Sequence, residues 1–178
     1  SIIVLRNNIN IILNPINMSK FTDRPKVTKQ DNYNTPLKAW EDILQFIDKD
    51  CKIWSPFYND GKQLEIFKTL GYNNFFHEDI DFFDYWKDDW ILLDNPPYSI
   101  KKEILKICFY KKQPFSLLLP LDTLDRQYFK EYKNGLQLVI PSYRYSFTNS
   151  TGNPPFKTIW FCWNMNEYLN TNDMLIWL

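Results

Sequence analysis

The chain has 178 residues, and its 21 basic and 21 acidic side chains leave a formal net charge of zero. This length fits a single domain, and the neutral charge confines any nucleic-acid contact to a local patch. One histidine and three well-separated cysteines exclude the usual ligand spacing of a zinc site, so we expect no metal. The isolated cysteines also predict a reduced, intracellular protein rather than a secreted one.

Residues 1–18 are apolar in patches but are interrupted by Arg6 and several asparagines. This stretch is too short and too polar to cross a bilayer, and it lacks the features of a secretory signal. We interpret it as an N-terminal extension that would pair as an edge strand. Residues 19–178 are predicted to form one domain, with no membrane partner.

Helices and strands alternate along the remaining chain. Thr35 and Pro36 predict a helix start, with Thr35 as N-cap and Pro36 in the first helical position. Further helices are predicted over 62–70, 99–110 and 125–132, and strands over 51–54, 72–77, 90–93, 116–119, 136–140 and 157–163. This order predicts an α/β fold with a mostly parallel sheet and helices on both faces. Ligands bind such sheets at the carboxyl ends of the strands.

Asn95-Pro96-Pro97-Tyr98 follows the strand predicted over 90–93. The amino group of a nucleobase is a poor nucleophile because its lone pair is delocalised into the ring. An asparagine oxygen and a backbone carbonyl can accept both N–H bonds and draw the nitrogen towards a tetrahedral shape. The prolines restrict φ and carry no competing N–H, and the aromatic side chain offers a face for a flipped base. The motif predicts methylation of an amino group, achieved mainly by alignment.

A second copy of this pattern, Asn153-Pro154-Pro155-Phe156, precedes a predicted strand instead of following one. The chemistry requires a position at the carboxyl end of a strand. We therefore choose Asn95 as the catalytic residue and interpret the second copy as a structural turn beside the base pocket.

On these motifs the chain resembles the gamma-like N6-adenine methyltransferases, most closely the compact domains of large DNA viruses and phages. The resemblance implies a Rossmann-like fold that uses S-adenosylmethionine, releases S-adenosylhomocysteine, and makes its late strand at 157–163 antiparallel. It implies cofactor contacts in four segments, which hold Tyr33, Thr35 and Pro36; Trp54, Ser55, Pro56, Phe57 and Gly61; Glu78 and Asp79; and Asp81 with Phe82. The implied catalytic set is Asn95, Pro96, Pro97 and Tyr98.

Two positions depart from this family. Ser55 stands where an acidic residue usually precedes the proline, and Asn59 stands where glycine is common. Only Gly61 remains to let the backbone approach a ligand closely. These departures predict weakened cofactor binding or lost activity.

No segment of the chain has the size of a separate target-recognition domain. We expect loops, a homodimer or a partner subunit to supply that recognition, or the domain to read the target sequence hardly at all. Nucleic-acid contacts are predicted for Lys101, Lys102, Arg144 and Lys157. Adenine in DNA is the leading substrate, and the expected location is the cytoplasm or the viral factory of an infected cell. The open alternatives are adenine in RNA, a glutamine amide in a protein, and a degenerate domain that binds nucleic acid or a partner without catalysis.

Overall fold

The computed structural model describes residues 25–28, 31, 33–147 and 154–178. The predicted extension over 1–18 and the side chain of Asn153 lie outside these ranges. In chain order the helices are α1 (Leu37–Leu44), α2 (Gln63–Thr69) and α3 (Lys101–Lys111). The strands are β1 (Ile53–Trp54), β2 (Phe75–Phe76), β3 (Ile91–Asp94), β4 (Phe115–Pro120), β5 (Leu136–Ile140), β6 (Thr158–Trp163) and β7 (Leu175–Trp177). Short 3₁₀ helices span Tyr98–Ile100, Leu121–Asp125 and Gln127–Lys133.

The strands form one seven-stranded sheet in the order β2-β1-β3-β4-β6-β5-β7. Strand β6 runs antiparallel to both of its neighbours, β4 and β5, whereas every other pairing is parallel. The prediction of a mostly parallel sheet with an antiparallel late strand is confirmed.

Each face of the sheet carries its own core. Successive side chains of a strand point to opposite faces, so Ile91 and Leu93 pack with α1 and α2. Leu92 lies on the other face with α3 and the 3₁₀ helix at Gln127–Lys133. Helices therefore cover both faces, as predicted. Within the described ranges, no helix combines the length and apolar character that a membrane crossing requires.

The first helix begins one residue later than predicted. Pro36 occupies the N-cap position with φ −68° and ψ 149°, and no side-chain cap bond is made. The prediction of Thr35 as N-cap and Pro36 as first helical residue is therefore wrong. The extended ψ of Pro36 leaves Thr35 in the chain leading up to the helix, where its side chain lines a pocket.

Four other elements differ from the prediction. The helix predicted over 125–132 is a 3₁₀ helix at Gln127–Lys133, and Arg126, with an extended ψ of 132°, separates it from the 3₁₀ helix at Leu121–Asp125. Strand β7 was not predicted. Its three residues alternate between exposed and buried, too short a pattern to stand out in the sequence. The strands predicted over 51–54 and 72–77 shorten to two residues each.

Candidate active site

The chain segments at the carboxyl ends of β1 and β3 meet the segment before α1 and enclose a groove. It consists of three adjoining pockets of about 300, 330 and 350 Å³, which we call the first, second and third pockets. Thr35, Asn59 and Gln63 line both the first and second pockets, while Phe57 and Pro97 line both the first and third. The groove is therefore continuous.

Many of the predicted site residues meet in this groove. The first pocket is lined in part by Tyr33, Thr35, Phe57, Asn95 and Pro97. Thr35 and Pro36 line the second pocket, and Pro56, Asp79, Asp81 and Phe82 line the third. Trp54, Ser55, Gly61, Glu78, Pro96 and Tyr98 do not line any of these three pockets.

Asn95 lies directly after β3, whose four residues are all buried. Its Nδ2 is 3.5 Å from the carbonyl oxygen of Tyr33. Its Oδ1 is buried and has no hydrogen-bond partner within the described ranges. An unsatisfied buried acceptor costs free energy, so this oxygen is suited to receive a donor from a ligand.

Asp94, the last residue of β3, is fully buried. Its Oδ2 accepts hydrogen bonds from the Ser55 hydroxyl and the Phe57 backbone N–H, each at 2.7 Å. Its Oδ1 accepts from the Asn95 backbone N–H, also at 2.7 Å. Burial raises the pKa of this carboxyl to about 7, although the three hydrogen bonds oppose the change. Asp94 was not predicted as a site residue. An acidic residue at the end of an apolar strand was the feature of the sequence that could have indicated it.

The position of Asp94 explains the serine at position 55. The Ser55 side chain is fully buried and faces the Asp94 carboxylate, so an acidic residue at 55 would place two carboxyl groups together in the interior. The chain thus has its acid at the end of β3 instead of the end of β1. Ser55 and its neighbour Trp54, which is 2% exposed, support the groove from beneath and do not line it.

The departure at Asn59 preserves the backbone conformation that glycine favours. Asn59 has φ 49°, in the left-handed region that asparagine tolerates better than most residues. Its Nδ2 donates to Asn34 Oδ1 at 2.8 Å. Gly61, with φ 74°, is covered by the ring of Tyr58, whose hydroxyl is 2.6 Å from where a Cβ would lie. Gly61 therefore makes room for the Tyr58 ring.

Two more residues of the groove lining have a buried side-chain oxygen without a partner in the described part of the chain. The oxygens are Thr35 Oγ1 and Gln63 Oε1, and both residues line the first and second pockets. Gln63, the first residue of α2, is only 7% exposed and was not predicted as a site residue. A lone glutamine at a helix start carries no functional signal in the sequence.

The third pocket gathers the acidic and aromatic residues that follow β2. Asp81 Oδ1 accepts from the Phe83 backbone N–H at 2.8 Å. The ring of Phe82 stacks on that of Trp54 at 5.8 Å between centroids, and Phe82 is only 5% exposed. Glu78 is exposed and lies outside the groove lining.

Tyr98 is 7% exposed, and other aromatic rings surround it. The Tyr33 ring stacks on it at 5.9 Å between centroids, and the Phe156 ring meets it edge-on at 5.5 Å. Tyr33 also contacts Phe147 at 5.6 Å. The ring face that was predicted to receive a base is therefore covered by Tyr33.

The four predicted nucleic-acid residues do not form one cluster. Lys101 Nζ donates to the Tyr98 carbonyl at 3.3 Å, at the end of the Asn95–Tyr98 segment. Lys102 lines a different pocket, between α3 and the 3₁₀ helix at Gln127–Lys133. Arg144 donates to the Pro155 carbonyl and Lys157 donates to the Pro141 carbonyl, each at 2.6 Å. Both bonds therefore link residues 141–144 to residues 155–157, next to Phe156, which contacts Tyr98.

No group of histidine, cysteine and acidic side chains suited to a metal ion occurs in the described ranges. Comparison with family models, curated proteins and solved structures found no significant match to this chain.

Proposed function

We propose that this chain is an S-adenosylmethionine-dependent methyltransferase that modifies the N6 amino group of adenine in DNA by base flipping and in-line transfer. The observation that carries the proposal is the Asn95 side chain, which lines the groove with a buried Oδ1 that has no partner in the described ranges. An N–H of the target amino group is the kind of donor that this oxygen requires.

The backbone after Asn95 supplies the second acceptor. We assign this role to a carbonyl of the Pro96-Pro97 segment. Pro97 lines the first pocket, and its carbonyl, which accepts from the Ile100 N–H at 3.3 Å, keeps a second lone pair. Neither proline has an N–H that could compete for the acceptors. Holding both N–H bonds frees the nitrogen lone pair, and the rigid turn after β3 aligns that lone pair for attack.

Polar groups of the groove are proposed to hold the cofactor. Thr35 Oγ1 and Gln63 Oε1 are buried acceptors without partners in the described ranges, and they would accept from the ammonium group at the amino-acid end. Asp81 and Phe82, in the third pocket, would contact the adenine end. When bound, S-adenosylmethionine supplies an electrophilic methyl group on its sulfonium.

A base can enter only if the Tyr33 ring moves. A base sandwiched between two rings needs about 7 Å between them, twice the carbon contact distance of about 3.5 Å. The Tyr33 and Tyr98 centroids are only 5.9 Å apart, so the two rings must separate before a base fits between them. The base must also be extruded or unpaired to reach this depth, as in other enzymes that modify bases.

Contact with the nucleic-acid backbone is proposed to be local. The proposed contacts are Lys101, which donates to the Tyr98 carbonyl, and the exposed Arg144, which donates to the Pro155 carbonyl beside Phe156. A few such contacts position a strand without specifying its sequence. A second subunit, either a copy of this chain or a different partner, would supply target recognition.

A non-catalytic ligand-binding domain is the second candidate function. Two observations favour it: the Tyr58 ring covers Gly61, and Tyr33 covers the ring face of Tyr98. Both rings occupy space that a cofactor or a base would use in an active enzyme. The Asn95 turn opposes this candidate, because an unsatisfied buried oxygen has no structural benefit.

Transfer of a labelled methyl group from S-adenosylmethionine tests the proposal. Single-stranded DNA, RNA and a glutamine-containing protein serve as parallel acceptors, and digestion of the product identifies the methylated base. We expect label on N6 of adenine in DNA. Asn95→Ala should lower kcat by about 10²–10³, the usual loss when one group that stabilises a transition state is removed.

The matched control is Asn170→Ala, an exposed asparagine whose Nδ2 donates to the Gln45 carbonyl at 3.4 Å, away from the groove. It should keep the native rate. Label on RNA or protein alone would reassign the substrate. No transfer to any acceptor, with S-adenosylhomocysteine still bound in calorimetry, would favour the non-catalytic domain.

A further inference from the structure

The Asp94 carboxylate joins the two chain segments that form the floor of the groove. Its Oδ2 holds the Ser55 hydroxyl and the Phe57 N–H, both in the segment after β1. Its Oδ1 holds the N–H of Asn95. Phe57 and Asn95 both line the first pocket. The buried Asp94 side chain therefore fixes the backbone at two places in the wall of that pocket.

The network extends to the segment after β2. The carbonyl of Ser55 is 2.7 Å from His77 Nδ1, which must donate because a carbonyl only accepts. His77 is buried, and its ring stacks on Tyr58 at 4.9 Å between centroids. Hydrogen bonds thus connect the carboxyl ends of β2, β1 and β3 through His77, Ser55 and Asp94.

Only an acidic side chain can make these three contacts from position 94. A carboxylate accepts on both oxygens, whereas an asparagine amide has one accepting oxygen and a donating NH₂ group. In Asp94→Asn the oxygen would stay with its two donors, Ser55 and Phe57. The NH₂ group would then face the N–H of Asn95, donor against donor.

We propose that Asp94 is the positioning residue that couples the cofactor-binding segment after β1 to the catalytic Asn95. This inference rests on the proposed function. A ligand that orders residues 55–59 also fixes the Asn95 backbone through Asp94, so the cofactor prepares the site for the base. Cofactor and nucleic acid therefore bind cooperatively, and the cooperativity depends on this carboxylate.

The first test measures the network without any ligand. Amide hydrogen exchange of the ¹⁵N-labelled full chain reports each N–H separately. We expect slow exchange at Phe57 and Asn95 in the native chain. In Asp94→Asn the Asn95 amide should exchange at least about tenfold faster while Phe57 stays protected. Equal protection of Asn95 in both chains would overturn the proposal.

The second test measures cooperativity. Affinity for an adenine-containing single-stranded oligonucleotide is measured with and without saturating S-adenosylhomocysteine. We expect the cofactor product to strengthen binding by at least about fivefold in the native chain, the lower end of common coupling. In Asp94→Asn the cofactor product should still bind, but the enhancement should fall below about twofold.

Asp42→Asn is the matched control. Asp42 is another buried carboxyl, 1% exposed, which accepts from the Tyr145 hydroxyl at 2.8 Å and lies 2.8 Å from Lys38 Nζ. It lies on α1, outside the groove lining, so this variant should keep the enhancement.

The outcomes separate the two proposals. If Asp94→Asn keeps the full enhancement, the coupling role is overturned and the proposed function stands. If the native chain binds no S-adenosylhomocysteine, the proposed function is overturned, and the coupling role with it. Loss of the enhancement in both Asp94→Asn and Asp42→Asn would overturn the specific role of Asp94, because any buried carboxyl would then have the same effect.

Discussion

At the residue scale, the Ser55 hydroxyl is suited to the buried Asp94 carboxyl that it contacts. Asp94 is fully buried, yet three hydrogen bonds compensate for part of its desolvation. A hydroxyl at position 55 can donate to the ionised carboxylate and can reverse its role when the carboxyl is protonated. An acidic side chain at position 55 could donate to the Asp94 carboxylate only if it were itself protonated.

Replacing Ser55 with Asp tests this pairing, because it places a second carboxyl group beside Asp94. Two buried carboxyls would compete for one proton, as in other close carboxyl pairs. We expect Ser55→Asp to lower the free energy of unfolding by about 3 kcal/mol or more at pH 8, and by less at pH 5. Urea denaturation at both pH values measures the difference.

Ser55→Ala is the control for that experiment. It removes one hydrogen bond to a charged acceptor and should cost about 1.5–3 kcal/mol at pH 8. If Ser55→Asp is as stable as the native chain at pH 8, Ser55 and Asp94 are not a mutually adjusted pair.

At the scale of elements, β7 completes the sheet beyond β5. The Leu138 N–H donates to the Met174 carbonyl at 2.8 Å, and the Leu178 N–H donates to the Ile140 carbonyl at 3.1 Å. Ile176 points into the core that contains α1, whereas Leu175 and Trp177 are exposed. A single buried side chain therefore anchors this strand.

Truncating that side chain should destabilise the whole domain. Ile176→Ala removes buried methyl groups and is expected to lower the free energy of unfolding by about 2–4 kcal/mol. Leu175→Ala, on the exposed face of the same strand, should change it by less than about 1 kcal/mol. Chemical denaturation of both variants compares them. Equal effects would mean that β7 is held by its backbone hydrogen bonds alone.

The sequence predicted the central strands because burial on both faces leaves nearly continuous apolar runs, as in β3, β4 and β6. It missed β7, where one buried residue between two exposed ones gives too short a pattern. It also misassigned the region around Arg126, because periodic apolar residues are compatible with 3₁₀ as well as α-helix.

The order of the site motifs was readable from the sequence, but their contacts were not. Ser55 and Asp94 are 39 positions apart and meet because β1 pairs with β3 in a particular register. The Tyr33 ring reaches Tyr98 only through the path of the segment before α1. Contacts of this kind depend on tertiary packing, which local residue patterns do not encode.

At the scale of the whole molecule, stability responds to pH through buried ionisable groups. Burial raises the pKa of Asp94 from 3.8 to about 7, so the folded chain binds an extra proton between these values. The contribution of Asp94 to the free energy of unfolding is therefore greatest at low pH and is lost as the pH rises from 3.8 towards 7. Burial lowers the pKa of His77, so its contribution has the opposite sign and is lost as the pH falls through 6.5 and below.

Asp94→Asn separates these two effects, because His77 is present in both chains and cancels in the comparison. A pKa change from 3.8 to about 7 corresponds to at most about 4 kcal/mol. We expect the free energy of unfolding of the native chain, relative to Asp94→Asn, to fall by about 2–4 kcal/mol between pH 4 and pH 8. Urea denaturation across this range measures both curves. Parallel curves would show that the Asp94 carboxyl titrates normally and that its burial does not contribute to the pH dependence of the fold.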